Sequence, residues 1–216
     1  MLAISTIDVT GDDALEFLQG QLTNDLRRLE SEAGILAAWC SPKGRVIWFG
    51  SVTRSADGFA LSAPAATAES IVKRLTMFRF RSKVEFAVKD DGQTVDPASL
   101  IERGHPFVGA EQAEQFTPHM LNLDLLDAVS LDKGCYTGQE IVARTHYKGA
   151  TKRRTLRFSS QSPVKVGDKI MAGDRSIGEV LNVAGNELLG VVAVDKADAK
   201  LTVGDVAIER QDLGYL

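Results

Sequence analysis

The first part of the chain alternates between apolar spacing typical of strands and apolar spacing typical of helices. Residues 4–9 are typical of a short first strand, and residues 11–13 then offer caps for a helix with apolar side chains at helical intervals. Gly20 is unfavourable in a helix interior, so this helix is predicted to end near Gln19. The polar residues that follow, up to Asp25, are then expected to serve as ordinary turn and cap residues.

Two apolar runs flank the turn sequence Ser41-Pro42-Lys43-Gly44 and predict a β-hairpin. The pattern then predicts a strand at 59–62, a helix that opens at Pro64, a half-buried strand from Phe80 to Val88 ended by residues 90–92, and a short helix at 99–103. This part of the chain is therefore predicted to be α+β with an antiparallel sheet.

From Thr155 onward the pattern changes to short β-rich runs separated by turns that contain glycine, aspartate or asparagine. These runs occupy residues 155–158, 169–171, 177–183, 188–194 and 206–209. Short strands at close, even spacing are typical of a small barrel. The chain is accordingly predicted to form an α+β region over residues 1–152 and a β-barrel domain over residues 153–216.

Composition narrows the classes of protein to which this chain can belong. With 216 residues and 44% hydrophobic side chains, it can bury a sizeable core. A formal net charge of −4 argues against general nucleic-acid binding, which usually needs a basic excess. No apolar run reaches the length of a membrane span, and the N-terminal residues lack the pattern of a signal peptide, so a cytoplasmic protein is expected.

Cysteine and histidine are scarce in this sequence. Cys40 and Cys135 fit a reducing compartment and no disulfide framework. His105, His119 and His146 do not fall at metal-ligand spacing. The sequence therefore predicts neither a self-contained zinc site nor a self-contained iron–sulfur site.

One stretch, residues 132–144, concentrates the chemistry of the chain. A thiol, a cation, an amide, a carboxylate and two glycines fall within its first nine residues. Lys133 is a candidate cation for lowering the pKa of the Cys135 thiol, and a helix start near Gly138 would add positive partial charge. A lone cysteine is more often buried and inert, but the polar and glycine neighbours favour a functional thiol here.

Residues 133–140 read Lys-Gly-Cys-Tyr-Thr-Gly-Gln-Glu and resemble the K-G-C-F/Y-x-G-Q-E signature of the YgfZ/Iba57 family, folate-binding relatives of the glycine-cleavage T-protein. Three further stretches extend the resemblance over nearly the whole chain: residues 17–25, the hairpin at 40–45 and residues 147–153. The resemblance implies a T-protein-like fold, in which an α+β folate-binding region with antiparallel sheets is followed by a small C-terminal β-barrel.

The resemblance also implies a function. Members of this family are implicated in making or repairing iron–sulfur clusters in client enzymes such as radical-SAM tRNA-modifying enzymes. The implied cofactor is tetrahydrofolate, and the implied partners are iron–sulfur client or assembly proteins. A cluster normally takes four cysteine ligands, so Cys135 would share a transient cluster with a partner, or act as a redox or transfer group. Cys135 and Lys133 are the expected catalytic residues. The expected cofactor-binding residues are Tyr136, Gly138, Gln139, Glu140, Arg144, Lys152 and Arg153.

Two other functions stay open. The first is a folate-dependent aminomethyl- or methyltransferase like the T-protein, which carries a carboxylate in the strand after the glycine-containing hairpin. Residues 44–50 of this chain contain no acid, which weakens that alternative. The second is a scaffold without a ligand, which leaves the composition of the cysteine-containing stretch unexplained.

A basic interval follows the cysteine-containing stretch. No acid lies between Glu140 and Asp168, whereas the interval contains Arg144, Lys148, Lys152, Arg153, Arg154 and Arg157. Such a run is often only a solvated face. Its position also fits a site for a polyanion, such as the glutamyl tail of a folate or a phosphate-bearing partner.

Overall fold

The computed structural model of the protein describes residues 1–149 and 151–216. Its first region is built on a five-stranded antiparallel sheet with the strand order β2-β3-β4-β1-β5. The strands are β1 (Leu2–Thr10), β2 (Ile35–Cys40), β3 (Val46–Ser55), β4 (Gly58–Pro64) and β5 (Glu85–Val95).

The described residues also form four α-helices: α1 (Ala14–Gln21), α2 (Ala65–Thr76), α3 (Pro97–Glu102) and α4 (Gln139–Lys148). α1 and α2 bury their apolar side chains against one face of the sheet, in a core that includes Leu18, Trp39 and Leu75. The other face packs through Phe49 on the segment after α3 and on barrel residues such as Leu181. No helix in the described part of the chain is long and apolar enough to cross a membrane.

The predicted hairpin is confirmed. Its turn closes through hydrogen bonds from the Ser41 amide to the Arg45 carbonyl and from the Gly44 amide to the Ser41 carbonyl, both at 2.8 Å. Gly44 has a φ of +65°, which favours glycine at that position. The first strand, the helix after Pro64 and the short helix that includes residues 99–102 are confirmed as well.

The predicted end of the first helix is wrong, because α1 continues through Gly20 to Gln21. A Cβ added at Gly20 would meet no atom within 4 Å, so the glycine is not required there by crowding. The carbonyl of Gly20 accepts a hydrogen bond from the backbone amide of Thr137 at 3.2 Å. This tertiary contact stabilises the last turn despite the low helix propensity of glycine.

The predicted bounds of the fifth strand are also wrong. β5 begins at Glu85, while Phe80 is exposed in a turn with a φ of +45°. Residues 90–92 form a bulge opposite Ser5, and the pairing with β1 resumes at Gln93. A bulge accommodates extra residues within a continuing ladder, so the Asp-Asp-Gly signal marks a kink in the strand and not its end.

The second region is a closed barrel with the strand order β10-β11-β6-β9-β8-β7. Its strands are β6 (Arg153–Ser160), β7 (Lys169–Ala172), β8 (Arg175–Ala184), β9 (Glu187–Ala193), β10 (Leu201–Val203) and β11 (Val206–Gln211). All five predicted runs correspond to strands, except that Val194 lies just after β9, and β10 was not predicted because it has only three residues. Phe158, Ile170 and Leu188 are among the side chains that fill the barrel core.

Candidate functional site

Hydrogen bonds hold the Cys loop, residues 128–138, against the turn that follows α1. Thr23 in that turn is fully buried, and its hydroxyl donates to the carbonyl oxygen of Ala128 at 2.7 Å. The carbonyl of Thr23 accepts from the backbone amide of Ser130 at 2.9 Å. One residue therefore holds the start of the loop with both its side chain and its backbone.

Asn24 extends this attachment to the sheet. It is fully buried, and its Nδ2 donates to the carbonyl oxygens of Leu36 at 2.8 Å and Asp127 at 2.7 Å. Its Oδ1 accepts from the backbone amide of Asp25 at 2.9 Å. The sequence predicts ordinary turn and cap roles for Thr23 and Asn24, whereas the structure uses them to join three segments that are distant in sequence.

Lys133 anchors the middle of the Cys loop. Its side chain is buried, and Nζ donates to the carbonyl oxygens of Leu22 and Asn24, both at 2.7 Å. Nζ also lies 5.4 Å from the centroid of the Tyr136 ring. Burial lowers the pKa of Lys133 to about 7. These contacts hold the loop in place, and the predicted role of Lys133 as the cation that activates the thiol of Cys135 stays a prediction.

The thiol of Cys135 is exposed at the edge of an open cleft of about 610 Å³ between the Cys loop and α1. The other residues that line the cleft are Asp12, Leu15, Glu16, Gln19, Gly20, Arg27 and Gly134. Arg27 is paired with Asp25, and the hydrogen bonds from Arg27 hold the pKa of that carboxyl far below its usual range. The cleft is therefore an open surface with acidic and basic side chains around a single thiol.

Gly138 lets α4 begin against the hairpin turn. It has a φ of +83° and is the residue before the first residue of α4, which confirms the predicted helix start. A Cβ at Gly138 would lie 2.5 Å from the carbonyl oxygen of Ser41, and a Cβ at Gly44 would lie 2.8 Å from the Cβ of Ile141. Only glycine fits at both positions, so the hairpin and the Cys loop are packed together through two glycines.

A brief pulse of iodoacetamide near neutral pH is expected to label Cys135 and leave Cys40 unmodified. Cys40 is fully buried, and burial raises its pKa to about 12, so its reactive thiolate is both scarce and shielded. Mass spectrometry of peptides after timed pulses measures both rates. In unfolded protein, as a control, the two thiols should react at similar rates. Faster labelling of Cys40 in the native protein would contradict the prediction.

The predicted cofactor-binding residues differ in exposure and belong to the Cys loop, to α4 and to the stretch where β6 begins. Tyr136 is buried, and its hydroxyl has no hydrogen-bond partner among the described residues. Gln139 is half-buried in the first turn of α4, which also contains the exposed Glu140. The remaining members are the glycine before α4 and three exposed basic residues, namely Gly138, Arg144, Lys152 and Arg153.

The basic interval is partly neutralised in the structure. Arg154 forms a bidentate ion pair with Asp124, with N–O distances of 2.6 and 2.9 Å, and both side chains are mostly buried. Arg157 pairs with Glu187 at 2.9 Å. These two arginines are therefore not part of an exposed cationic rim. The exposed members are Arg144, Lys148, Lys152 and Arg153.

A second cavity, of about 350 Å³, lies between the sheet and the segment that follows β5 and contains α3. Phe49 and Gly50 of β3 contribute to its wall, together with Leu100, His105 and other mainly apolar residues. Burial lowers the pKa of His105. Among the described residues, none of the predicted cofactor-binding residues lines this cavity. The sequence held one indication of this cavity. Residues 44–50 contain no acid, so the part of the wall that they form is apolar.

The chain is similar in sequence to a known domain family and to several known proteins. Residues 152–212 match the family described as CAF17, C-terminal beta-barrel domain. An uncharacterized protein from Haemophilus influenzae is 30% identical, over 97% of this chain and 94% of that protein. Proteins named tRNA-modifying protein YgfZ from Escherichia fergusonii and Hamiltonella defensa are 27% and 26% identical. These alignments cover 70% and 94% of this chain, and 70% and 79% of the respective relatives.

Among solved structures, glycine cleavage system aminomethyltransferase T from Bartonella henselae matches with a TM-score of 0.78. The match covers 99% of this chain and 84% of that chain at 15% identity, so it shows a shared fold and not a shared activity. The antiparallel sheet and closed barrel thus define a protein of the aminomethyltransferase T type of fold. Within that class, the chain belongs to the YgfZ/Iba57 family. Both the fold class and the family predicted from the signature are confirmed.

Proposed function

We propose that this protein binds tetrahydrofolate and assists the assembly or repair of iron–sulfur clusters in client enzymes through the thiol of Cys135. The observation that carries the proposal is an exposed thiol on a loop whose neighbouring residues Lys133 and Tyr136 are buried. Such a loop presents a soft sulfur ligand to a partner while its backbone stays in place. Two relatives are named tRNA-modifying protein YgfZ, which supports client enzymes that act in tRNA modification.

Cys135 supplies one cluster ligand, and the partner supplies the others. Cys40 is fully buried beside the hairpin, so it does not offer a second thiolate at the surface. A cluster normally takes four cysteine ligands, and three of them must then come from outside this chain. The open cleft beside Cys135 leaves room for a partner to approach the thiol. The cluster is cargo in this account and not a resident cofactor.

The apolar strand after the hairpin argues against aminomethyl transfer. Trp48 and Phe49 are buried in β3, where no carboxylate is available to act on a substrate amine. General acid–base groups contribute typically 10²–10⁴-fold to rates, so their absence removes a main part of such a reaction. The fold shared with aminomethyltransferase T therefore supports a folate site without the transferase chemistry.

The cavity beside β3 is the proposed site for the aromatic part of the folate. Its volume of about 350 Å³ lies within the range of small-molecule sites, and its wall is mainly apolar. Arg103 and His105 are the cationic and titratable side chains in that wall. Flat pterin and benzoyl rings suit an apolar cavity with a few polar groups that fix their orientation.

Purified protein is expected to bind tetrahydrofolate in anaerobic calorimetry without forming methylenetetrahydrofolate from an aminomethylated carrier protein. Leu100→Trp places an indole in the half-buried wall of the apolar cavity and should weaken binding by at least about tenfold, or about 1.4 kcal/mol. Leu15→Trp is the matched control, because Leu15 lines the cleft beside Cys135. Binding that is lost only in Leu15→Trp would contradict the assignment of the cavity, and no binding by any protein would contradict the folate proposal.

The function itself is tested by deleting the gene. In the deletion strain, activities of iron–sulfur enzymes are expected to fall relative to enzymes without clusters, while the amounts of the enzyme polypeptides stay the same. A loss of one-carbon transfer from glycine with intact iron–sulfur activities would instead favour the transferase alternative. Normal activities of both kinds would contradict the proposal.

A further inference from the structure

Three potential metal ligands meet where the end of α4 packs near the segment that precedes the Cys loop. His119 and Asp124 belong to that segment, and His146 lies in the last turn of α4. One ligand atom from each residue lies within 4.8 Å of the other two, and the two imidazole centroids are 5.9 Å apart. The sequence gives no metal-ligand spacing for these residues, because only the fold brings them together.

His119 is the part of this cluster that most needs an explanation. The residue is buried, at 2% relative exposure, and neither ring nitrogen has a hydrogen-bond partner among the described residues. A buried polar group without a partner carries a free-energy cost that a ligand would offset.

Asp124 is already oriented by Arg154. The guanidinium nitrogens of Arg154 donate to the two carboxylate oxygens at 2.6 and 2.9 Å, and one of these nitrogens also donates to the carbonyl of His119 at 3.1 Å. Each carboxylate oxygen has a second lone-pair site that remains for a metal ion. Arg154 therefore acts as the kind of outer partner that orients the ligands of metal sites.

We propose that His119, Asp124 and His146 form a binding site for a first-row divalent transition-metal ion. Two imidazoles and one carboxylate are the protein ligands of many catalytic zinc and non-haem ferrous sites, which keep open positions for water or substrate. The positive charge of Arg154 beside Asp124 opposes binding of ions such as Mg²⁺ or Ca²⁺, which are held mainly by negative oxygen ligands. The two imidazole nitrogens instead favour a transition-metal ion.

The geometry requires a modest closure of the cluster. Ligand bonds of about 2.1 Å put neighbouring ligand atoms roughly 3–3.5 Å apart, so the separations of up to 4.8 Å must shrink by about 1.5 Å. His146 supplies this movement, because it is exposed on the surface of α4 and its ring can reorient. The bound ion would tie the last turn of α4 to the segment that carries His119. The proposed metal site does not include Cys135, and its ligands do not depend on that thiol.

Zinc titration by calorimetry tests the site. The 216-residue chain is used without a polyhistidine tag, after a chelator has removed bound metal. Wild-type protein and Cys135→Ser are both expected to bind one Zn²⁺ per chain. His146→Ala should lower the affinity by roughly 100-fold, since loss of even an outer partner costs 10–100-fold. His105→Ala is the matched control, because that ring lines the apolar cavity and should leave the affinity unchanged. His119→Leu, checked for folding by circular dichroism, should behave as His146→Ala does.

Cobalt absorption provides the second readout. Co²⁺ bound at this site should give visible bands without the charge-transfer band of a cobalt thiolate, and these bands should vanish in His146→Ala. His146 is exposed, so this variant is expected to fold and keeps the test decisive if His119→Leu does not. Absence of zinc binding by the wild type, equal affinity in His146→Ala, or binding that disappears in Cys135→Ser would each overturn the proposal.

Discussion

Replacing Asn24 with alanine is expected to lower the free energy of unfolding by about 2–4 kcal/mol. Asn24 is fully buried, and its Nδ2 donates to the carbonyl oxygens of Leu36 and Asp127. Alanine leaves two carbonyl groups without their donor, and each unsatisfied buried group costs about 1–3 kcal/mol. Chemical denaturation followed by fluorescence measures the change, because Trp39 and Trp48 are both buried in the first region.

Asn186→Ala is the matched control for this prediction. Asn186 is exposed in the turn between β8 and β9, so its replacement should change the free energy of unfolding by less than about 0.5 kcal/mol. The comparison separates the loss of buried hydrogen bonds from the general effect of exchanging an asparagine for an alanine. Equal stability of the two variants would contradict the view that Asn24 fastens the Cys loop to the sheet.

The architecture was largely predictable because its strands and helices follow simple apolar spacing. Alternation and turn residues located most barrel strands, and glycine and proline at 41–44 located the hairpin. The errors arose where tertiary contacts overrode local preference. Gly20 stays helical because Thr137 bonds to its carbonyl, and residues 90–92 continue a strand because β1 pairs on both sides of the bulge.

The candidate site was predictable only for the residues whose chemistry stands out locally. Glycines and polar neighbours around Cys135 indicated a functional loop, and the loop does expose the thiol. The burial of Lys133 could not be predicted from the sequence, because the carbonyl oxygens that accept hydrogen bonds from its Nζ lie more than 100 residues away. Arg154 is a similar case, since its pairing with Asp124 removes it from the basic run seen in the sequence.

The histidine cluster lies furthest from what the sequence indicates. His119 occurs beside a proline in a weakly patterned segment, where loop histidines are ordinarily exposed. Its burial and its proximity to His146 depend on how α4 packs in the complete fold. A long-range juxtaposition of this kind has no local signature, so a search for motifs at fixed spacing does not find it.

Replacing Cys135 with serine is expected to abolish the proposed activity while leaving the fold intact. The side chain is exposed, so the change should alter stability by no more than about 0.5 kcal/mol. A serine hydroxyl stays protonated at physiological pH and is a poor ligand for iron in a cluster, which prefers soft thiolates. The loss should therefore be chemical and not structural.

The most direct measurement of this claim is the activity of an iron–sulfur enzyme in the deletion strain that carries each variant. Wild-type protein and Cys40→Ala should restore the activity, because Cys40 is buried and takes no part in the proposed chemistry. Cys135→Ser, present at the same soluble level by immunoblot, should leave the activity at the value of the empty vector. Restoration by Cys135→Ser to the wild-type level would contradict the assignment of iron–sulfur assistance to this thiol.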